Sequence, residues 1–193
     1  HLGYENRVKT ESGRKVSWIG EISSRETIKR IRTIAIEQGV DAVIHTGDIL
    51  DHEVDPVTLD AAESSLDVLS QLGIPLYCII GTHDHYSANP QHSGSSDGVA
   101  WLKNQVRKGN LTELSTNATL VAGGPLVAYG VSAENVGIED VGNYDSRGWH
   151  PSDIEFSPSS SGPSVLCLHD SVTPYRSGSD VDVDLDQLLS QSP

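Results

Sequence analysis

Apolar residues follow two rhythms along the chain. The first has helical spacing. Ile28, Ile31, Ile34 and Ala35 recur every three or four positions, behind a capping-box pair of Ser23 and Glu26 and ahead of Gly39. Leu59, Ala62, Leu66 and Leu69 repeat the pattern behind Asp55-Pro56, a cap followed by proline, and Gly73 ends the run. A shorter helix is expected behind Asp97, through Val99, Trp101, Leu102 and Val106 to Gly109. The second rhythm is a short apolar run, as buried strands have. It occurs at Val40, Ala42, Val43 and Ile44, again from Leu76 to Ile80, and again at Val165-Leu166-Cys167-Leu168. Helix and strand alternate with connections of crossover length, which predicts parallel strands with helices on the faces.

Other stretches break these rhythms. Residues 112–132 carry turn-and-strand character around Gly123-Gly124-Pro125 and predict a second, antiparallel or mixed set of strands. Residues 5–22 are polar and read as a loop. Residues 86–98 are rich in Ser, Gly, Asn and Pro and read as a mobile loop. Residues 133–163 form a long polar stretch of the kind that is functional or disordered. Asp180, Asp182, Asp184 and Asp186 predict a hydrated acidic tail, without the glycine and terminal glutamate of a calcium loop. No repeat or linker divides residues 1–193, so one domain is expected. The chain opens at His1-Leu2-Gly3-Tyr4 without methionine, and a first strand is expected upstream of it.

Composition changes the picture mainly through charge. Twenty-seven acidic residues face thirteen basic ones, for a formal charge of −14. Such a balance repels itself unless salt screens it, a pattern suited to a high-salt, halophilic-type cytoplasm. It also opposes indiscriminate binding to a phosphate backbone, although local patches and bound cations can outweigh it. Cys78 and Cys167 both fall in expected buried strands and read as two free thiols of a reducing compartment. No apolar run is long enough to span a membrane, and a cytoplasmic location is expected.

Each expected strand runs into chemistry. The first leads to Gly47-Asp48, the second to Gly81-Thr82-His83-Asp84-His85, and the third to His169. Open α/β sheets place their sites at such carboxyl ends. Mixtures of Asp and His suit divalent cations such as manganese, iron and zinc. A carboxylate can bridge two of them, water there becomes a nucleophile for phosphorus near neutral pH, and a nearby His can protonate the leaving oxygen. Each motif alone is more often a turn or a satisfied histidine. His45 reads as a packed strand residue, and His92 and His150 read as solvated loop residues.

Taken together, the motifs carry a resemblance. His1 with its flank, Gly47-Asp48, Gly81-Thr82-His83-Asp84 and His169 follow the order of motifs in the calcineurin-like metallophosphoesterase superfamily. The superfamily's last motif, Gly-His-x-His, is absent. The resemblance implies a β-sandwich flanked by helices, four-layered as α/β/β/α and incomplete at both termini. It implies two divalent metal ions, manganese first, with iron, zinc or magnesium as alternatives. Asp48 would bridge the metals, and His1 and His169 would each ligate one. Thr82 stands where the superfamily uses an asparagine ligand. His83 would be the proton donor, and Asp84 would orient it. Asp51, His52 and His85 flank these motifs and are assigned to substrate contact. Within the superfamily, the flank His1-Leu2-Gly3-Tyr4 and the run from His45 to Asp51 look most like the nuclease subunit of a double-strand-break repair exonuclease. That would imply DNA ends as substrate, a coiled-coil ATPase as partner and a homodimer, with no membrane role. A phosphodiesterase or phosphatase for nucleotides and other small esters, and a scaffold subunit weakened at Thr82, are the alternatives.

Overall fold

Three long helices end the same way, and their endings set the rest of the chain. In the computed structural model, α1 (Ser24–Gln38), α2 (Pro56–Gln71) and α4 (Gly98–Lys108) each stop at a glycine with positive φ: Gly39, Gly73 and Gly109. The residue after each glycine donates its amide back across the last turn, Val40 to Ala35, Ile74 to Leu69 and Asn110 to Gln105. This closes the orphan carbonyls and turns the chain sharply toward the next strand. The described residues are 2, 7–9, 15–17, 24–51, 54–85, 98–132, 162–169, 172–173 and 183–184. Ser23 and Asp97, the expected caps of α1 and α4, lie outside them. Asp55 caps α2 as expected: its Oδ1 accepts from the amides of Val57 and Thr58, both at 3.0 Å.

The strands form two small sheets. β3 (Val43–His45), β4 (Leu76–Cys78) and β5 (Thr112–Glu113) are parallel, in that order. β6 (Thr119–Leu120), β7 (Val127–Val131) and β8 (Ser164–Leu168) form the second sheet, with β6–β7 antiparallel and β7–β8 parallel. Residues 112–132 are therefore split: their first strand joins the parallel sheet instead of the second set. Within that stretch, Val121–Gly123 forms a 3-10 turn between β6 and β7.

Alternation along β4 binds the layers together, because successive strand residues face opposite ways. Leu76 and Cys78 join Ile28, Ala35, Ala62, Leu66, Leu69 and Leu102 in a core beneath the helices. Tyr77 and Ile79 join Leu114, Ala128 and Cys167 in a second core between the sheets. The architecture is thus mixed α/β, with helices on one sheet and a second sheet on its other face. Val127, Tyr129 and Val131 belong to neither core and are nonetheless buried. The expected fourth layer lies outside the described residues.

Four expectations need correction or qualification. Ile31 and Ile34 were expected in the apolar stripe of α1 but are 37% and 47% exposed; burial falls on Ile28 and Ala35. Residues 5–22 are not all loop: β1 (Arg7–Lys9) and β2 (Lys15–Ser17) pair antiparallel, with Val8 opposite Val16. The acidic tail is not wholly hydrated coil. Its β10 (Val183–Asp184) pairs parallel with β9 (Val172–Thr173), because valines alternate with the aspartates. Residues 86–97 and 133–161, read as loops, lie outside the described residues. Cys78 and Cys167 are free and buried, and burial pushes the Cys78 thiol up to about 12. Among the described residues no helix is long and apolar enough to cross a membrane.

Candidate metal centre

The carboxyl ends of β3, β4 and β8 meet because two glycines let them. Gly47 has φ +89, and a Cβ there would lie 2.9 Å from Nδ1 of His169 and 3.1 Å from Cα of Gly81. A Cβ on Gly81 would lie 2.2 Å from Oδ1 of Asp48. The β3 loop, the β4 loop and the end of β8 are thus packed backbone to side chain, at distances only glycine permits.

Asp48 sits between them, buried, with φ +56. Aspartate tolerates this left-handed region better than most residues, yet still needs support. Asp84 supplies it. Its carboxylate, 1% exposed, accepts from the amides of Asp48 at 3.1 Å, Gly81 at 2.9 Å and Leu50 at 2.8 Å. One side chain therefore ties the loop after β3 to the loop after β4. This corrects the expectation that Asp84 orients His83. That contact belongs to Asp51, whose Oδ1 lies 3.0 Å from Nδ1 of His83. Asp51, three residues beyond Asp48, was assigned to substrate contact; here it holds His83. The spacing Gly47-Asp48-x-x-Asp51 was the available signal: with positive φ at Gly47 and Asp48, the loop after β3 brings Asp51 to His83 in α3 (Thr82–His85).

Asp48 is held from two further sides. Its Oδ1 accepts from the amide of His83 at 2.8 Å, and its Oδ2 lies 3.0 Å from Nε2 of His169. Nδ1 of His169 donates to the carbonyl of Thr46 at 2.9 Å, which sets Nε2 as the atom facing Asp48. Burial pushes the Asp48 carboxyl up, but the hydrogen bonds from His169 and the His83 amide carry it below its ordinary value. The bond to Asp48 raises His169, against burial. Asp84 moves the other way: burial and the negative charge of Asp48 push it up, against its three amides.

The pair fits a cation. Two ligands in neighbouring positions around an ion with bonds of about 2.1 Å stand about 3.0 Å apart, and the bond to Thr46 leaves Nε2 as the ligating nitrogen. Among the described residues no group of three or more Asp, Glu, His or Cys is gathered for a metal. Asp48 and His169 are the part of the expected set that the structure brings together. His1 and His52 lie outside the described residues. Leu2, next to His1, is anchored: its amide donates to Ile49 and its carbonyl accepts from Asp51, both at 2.8 Å. Thr82 and His85 lie in α3, with side chains outside the described residues. His45, expected to pack or hydrogen-bond, packs. Its Nδ1 is buried without a hydrogen-bond partner among the described residues, and burial lowers its pKa.

A family model for calcineurin-like phosphoesterases matches residues 19–190. The chain belongs to the calcineurin-like phosphoesterase family. The matched span holds Asp48, Asp51, His83, Asp84 and His169; His1 lies outside it. No curated protein matches the chain. Members of this family are phosphoester hydrolases that use divalent metals, which accounts for two buried loops and a strand end converging on one aspartate.

Proposed function

We propose that this calcineurin-like phosphoesterase hydrolyses phosphodiesters with two divalent cations, manganese first, and that its substrate is a DNA end. The observation that carries the reading is the adjacency of two pairs, Asp48 with His169 and Asp51 with His83. Asp48 and His169 would hold the cations, with His1 and Thr82 completing the set. Bound there, the cations supply positive charge to the phosphoryl oxygens and acidify the attacking water.

The chain's own groups do the rest. With Nδ1 of His83 facing Asp51, Nε2 is the atom from which the doubly protonated ring would pass a proton to the leaving oxygen, returning to the neutral imidazole. Asp51 fixes the ring's orientation through the 3.0 Å contact to Nδ1. Asp84 keeps the two loops at the spacing that both pairs need. His52 and His85 are assigned to substrate contact, and a fourth layer outside the second sheet is expected to complete the sandwich. The DNA reading draws on the flank of His1 and the run from His45 to Asp51. With it come a coiled-coil ATPase partner and a homodimer.

The test is turnover of linear DNA and of bis-p-nitrophenyl phosphate with manganese, for the chain and for Asp48→Asn. DNA breakdown abolished by Asp48→Asn supports the reading. Turnover of the small ester alone moves the substrate to nucleotides or other small esters. Manganese-dependent turnover that survives in Asp48→Asn removes the centre assigned here.

A further inference from the structure

Helix α1 does not share the charge of the rest of the chain. Four of the thirteen basic residues, Arg25, Lys29, Arg30 and Arg32, lie on this one helix of 15 residues, in a chain of net charge −14. Arg25, Lys29 and Arg32 follow the spacing i, i+4, i+7, which aligns them in one stripe along the helix. The stripe runs beside the buried face of Ile28 and Ala35 and is open to solvent at Arg25 and Lys29, with Arg32 half-buried. Arg30 points to a different face. Lys29 pairs with Glu26 at 2.9 Å, but both side chains are exposed, so the pair is weak and exchangeable.

The topology places the head of the stripe at the metal centre's rim. β3 and β4 are parallel, and α2 carries the chain from the carboxyl end of β3 back to the start of β4. The first turn of α2 therefore lies at the edge where Asp48 and Asp51 sit. α1 ends at Gly39 just before β3, so its first turn lies at that same edge. Electrostatics agree: Asp55, the cap of α2, is held below its ordinary value first by the Thr58 hydroxyl and, in smaller part, by the charge of Arg25. From there the three cations extend about 10 Å away from the rim, at intervals of about 5 to 6 Å, comparable with successive phosphates on an extended strand.

We propose that this stripe is a phosphate track: Arg25, Lys29 and Arg32 hold the non-scissile phosphates of a single nucleic-acid strand whose end enters the metal centre. The proposal rests on the phosphoesterase reading above and extends it to the substrate's length. A small phosphoester reaches the centre without touching α1; a strand does not. The acidic remainder of the surface repels a polyanion, so the track also sets the direction of approach.

The experiment compares the full chain with the triple variant Arg25→Ala/Lys29→Ala/Arg32→Ala, and with Arg30→Ala as a control of equal unit charge on another face. A fluorescein-labelled oligothymidylate is titrated by anisotropy at several salt concentrations, and bis-p-nitrophenyl phosphate turnover is measured alongside. Alanine favours helix, and the unfolding midpoint verifies that the variants fold. Each phosphate contact on a single strand contributes about 0.7 to the slope of log affinity against log salt. The triple variant should lose about 2 from that slope and bind roughly 100-fold more weakly at 0.1 M salt, with small-ester turnover unchanged and Arg30→Ala keeping the parent slope. Any of three results overturns the track: no binding by the parent chain, a triple variant with the parent slope, or Arg30→Ala lowering the slope as much as one stripe residue. Failure of small-ester turnover in the parent chain strikes the phosphoesterase reading alone, so the two are separable.

Discussion

Asp84 is the residue whose removal separates a structural clamp from a reacting group. Its carboxylate satisfies three buried amides, those of Asp48, Leu50 and Gly81, and is itself 1% exposed. In Asp84→Ala all three donors lose their acceptor, at about 1 to 3 kcal/mol each. Part of this is recovered, because burial and the charge of Asp48 already press against the ionised form. Taking the low end for each amide gives a net loss of about 3 kcal/mol. With a urea slope of about 2 kcal/mol per molar, the unfolding midpoint should fall by about 1.5 M. Asp84→Asn keeps one acceptor but turns an NH2 group toward amide donors, and should fall by about half as much. The assay is urea unfolding followed by far-UV circular dichroism, with phosphoester turnover measured in the native baseline. If both variants keep the parent midpoint to within a few tenths molar while turnover collapses, Asp84 acts on the reaction and the clamp is wrong.

Other outcomes follow from the same geometry. Asp51→Asn should lower kcat by about 10- to 100-fold, since it loosens His83, the proposed proton donor, while manganese affinity measured by calorimetry stays near that of the parent. Gly81→Ala forces a methyl against Oδ1 of Asp48, and should weaken manganese binding at least about 10-fold, as displaced ligand support does. Asp55→Ala removes the cap of α2 and should cost about 1 kcal/mol by thermal unfolding. The Asp48–His169 pair predicts a stability optimum in metal-free protein. Asp48 is depressed, so its contribution is present above its ordinary 3.8 and lost as pH falls through its lower folded value. His169 is raised, so its contribution is present below its ordinary 6.5 and lost as pH rises through its higher folded value. Thermal midpoints should therefore peak between those two ordinary values, and His169→Gln should flatten the peak; an equally sharp peak in that variant would refute the pairing.

The helices were legible because their punctuation is local. Asp55-Pro56 and the glycines at 39, 73 and 109 act within one turn, and each does in the structure what its residue type implies. The strand cores were legible as burial but not as pairing. Ile79 and Ile80 continue the apolar run of β4 and are buried, yet lie past the end of the strand; the Ile80 amide donates to the hydroxyl of Ser132 instead of a ladder partner. Apolar character reports exclusion from water, and it does not report which partner takes the backbone hydrogen bond. The pairing of Val8 with Val16 was missed for the converse reason: isolated valines among polar residues give too weak an alternation to stand out. Around Val183 the alternation of apolar residues with aspartates was present, but the run of acidic side chains was read as a hydrated tail. At the site, residue types and strand-end positions were readable, but the exchange of partners was not. A carboxylate next to a histidine in sequence, Asp84 beside His83, looks like its partner. In a tight helical turn neighbouring side chains diverge, and the aspartate 32 positions earlier in the chain is the one that reaches the ring.

The double allegiance of β4 has a consequence for how this protein can be altered. Insertion or deletion of a single residue ahead of Leu76 would exchange the strand's two sets of side chains, sending Tyr77 beneath the helices and Leu76 between the sheets. The same slip would carry Gly81 away from Asp48. Changes in length are therefore best confined to segments away from this strand, leaving β4 as an invariant ruler against which the loops of the candidate site are measured.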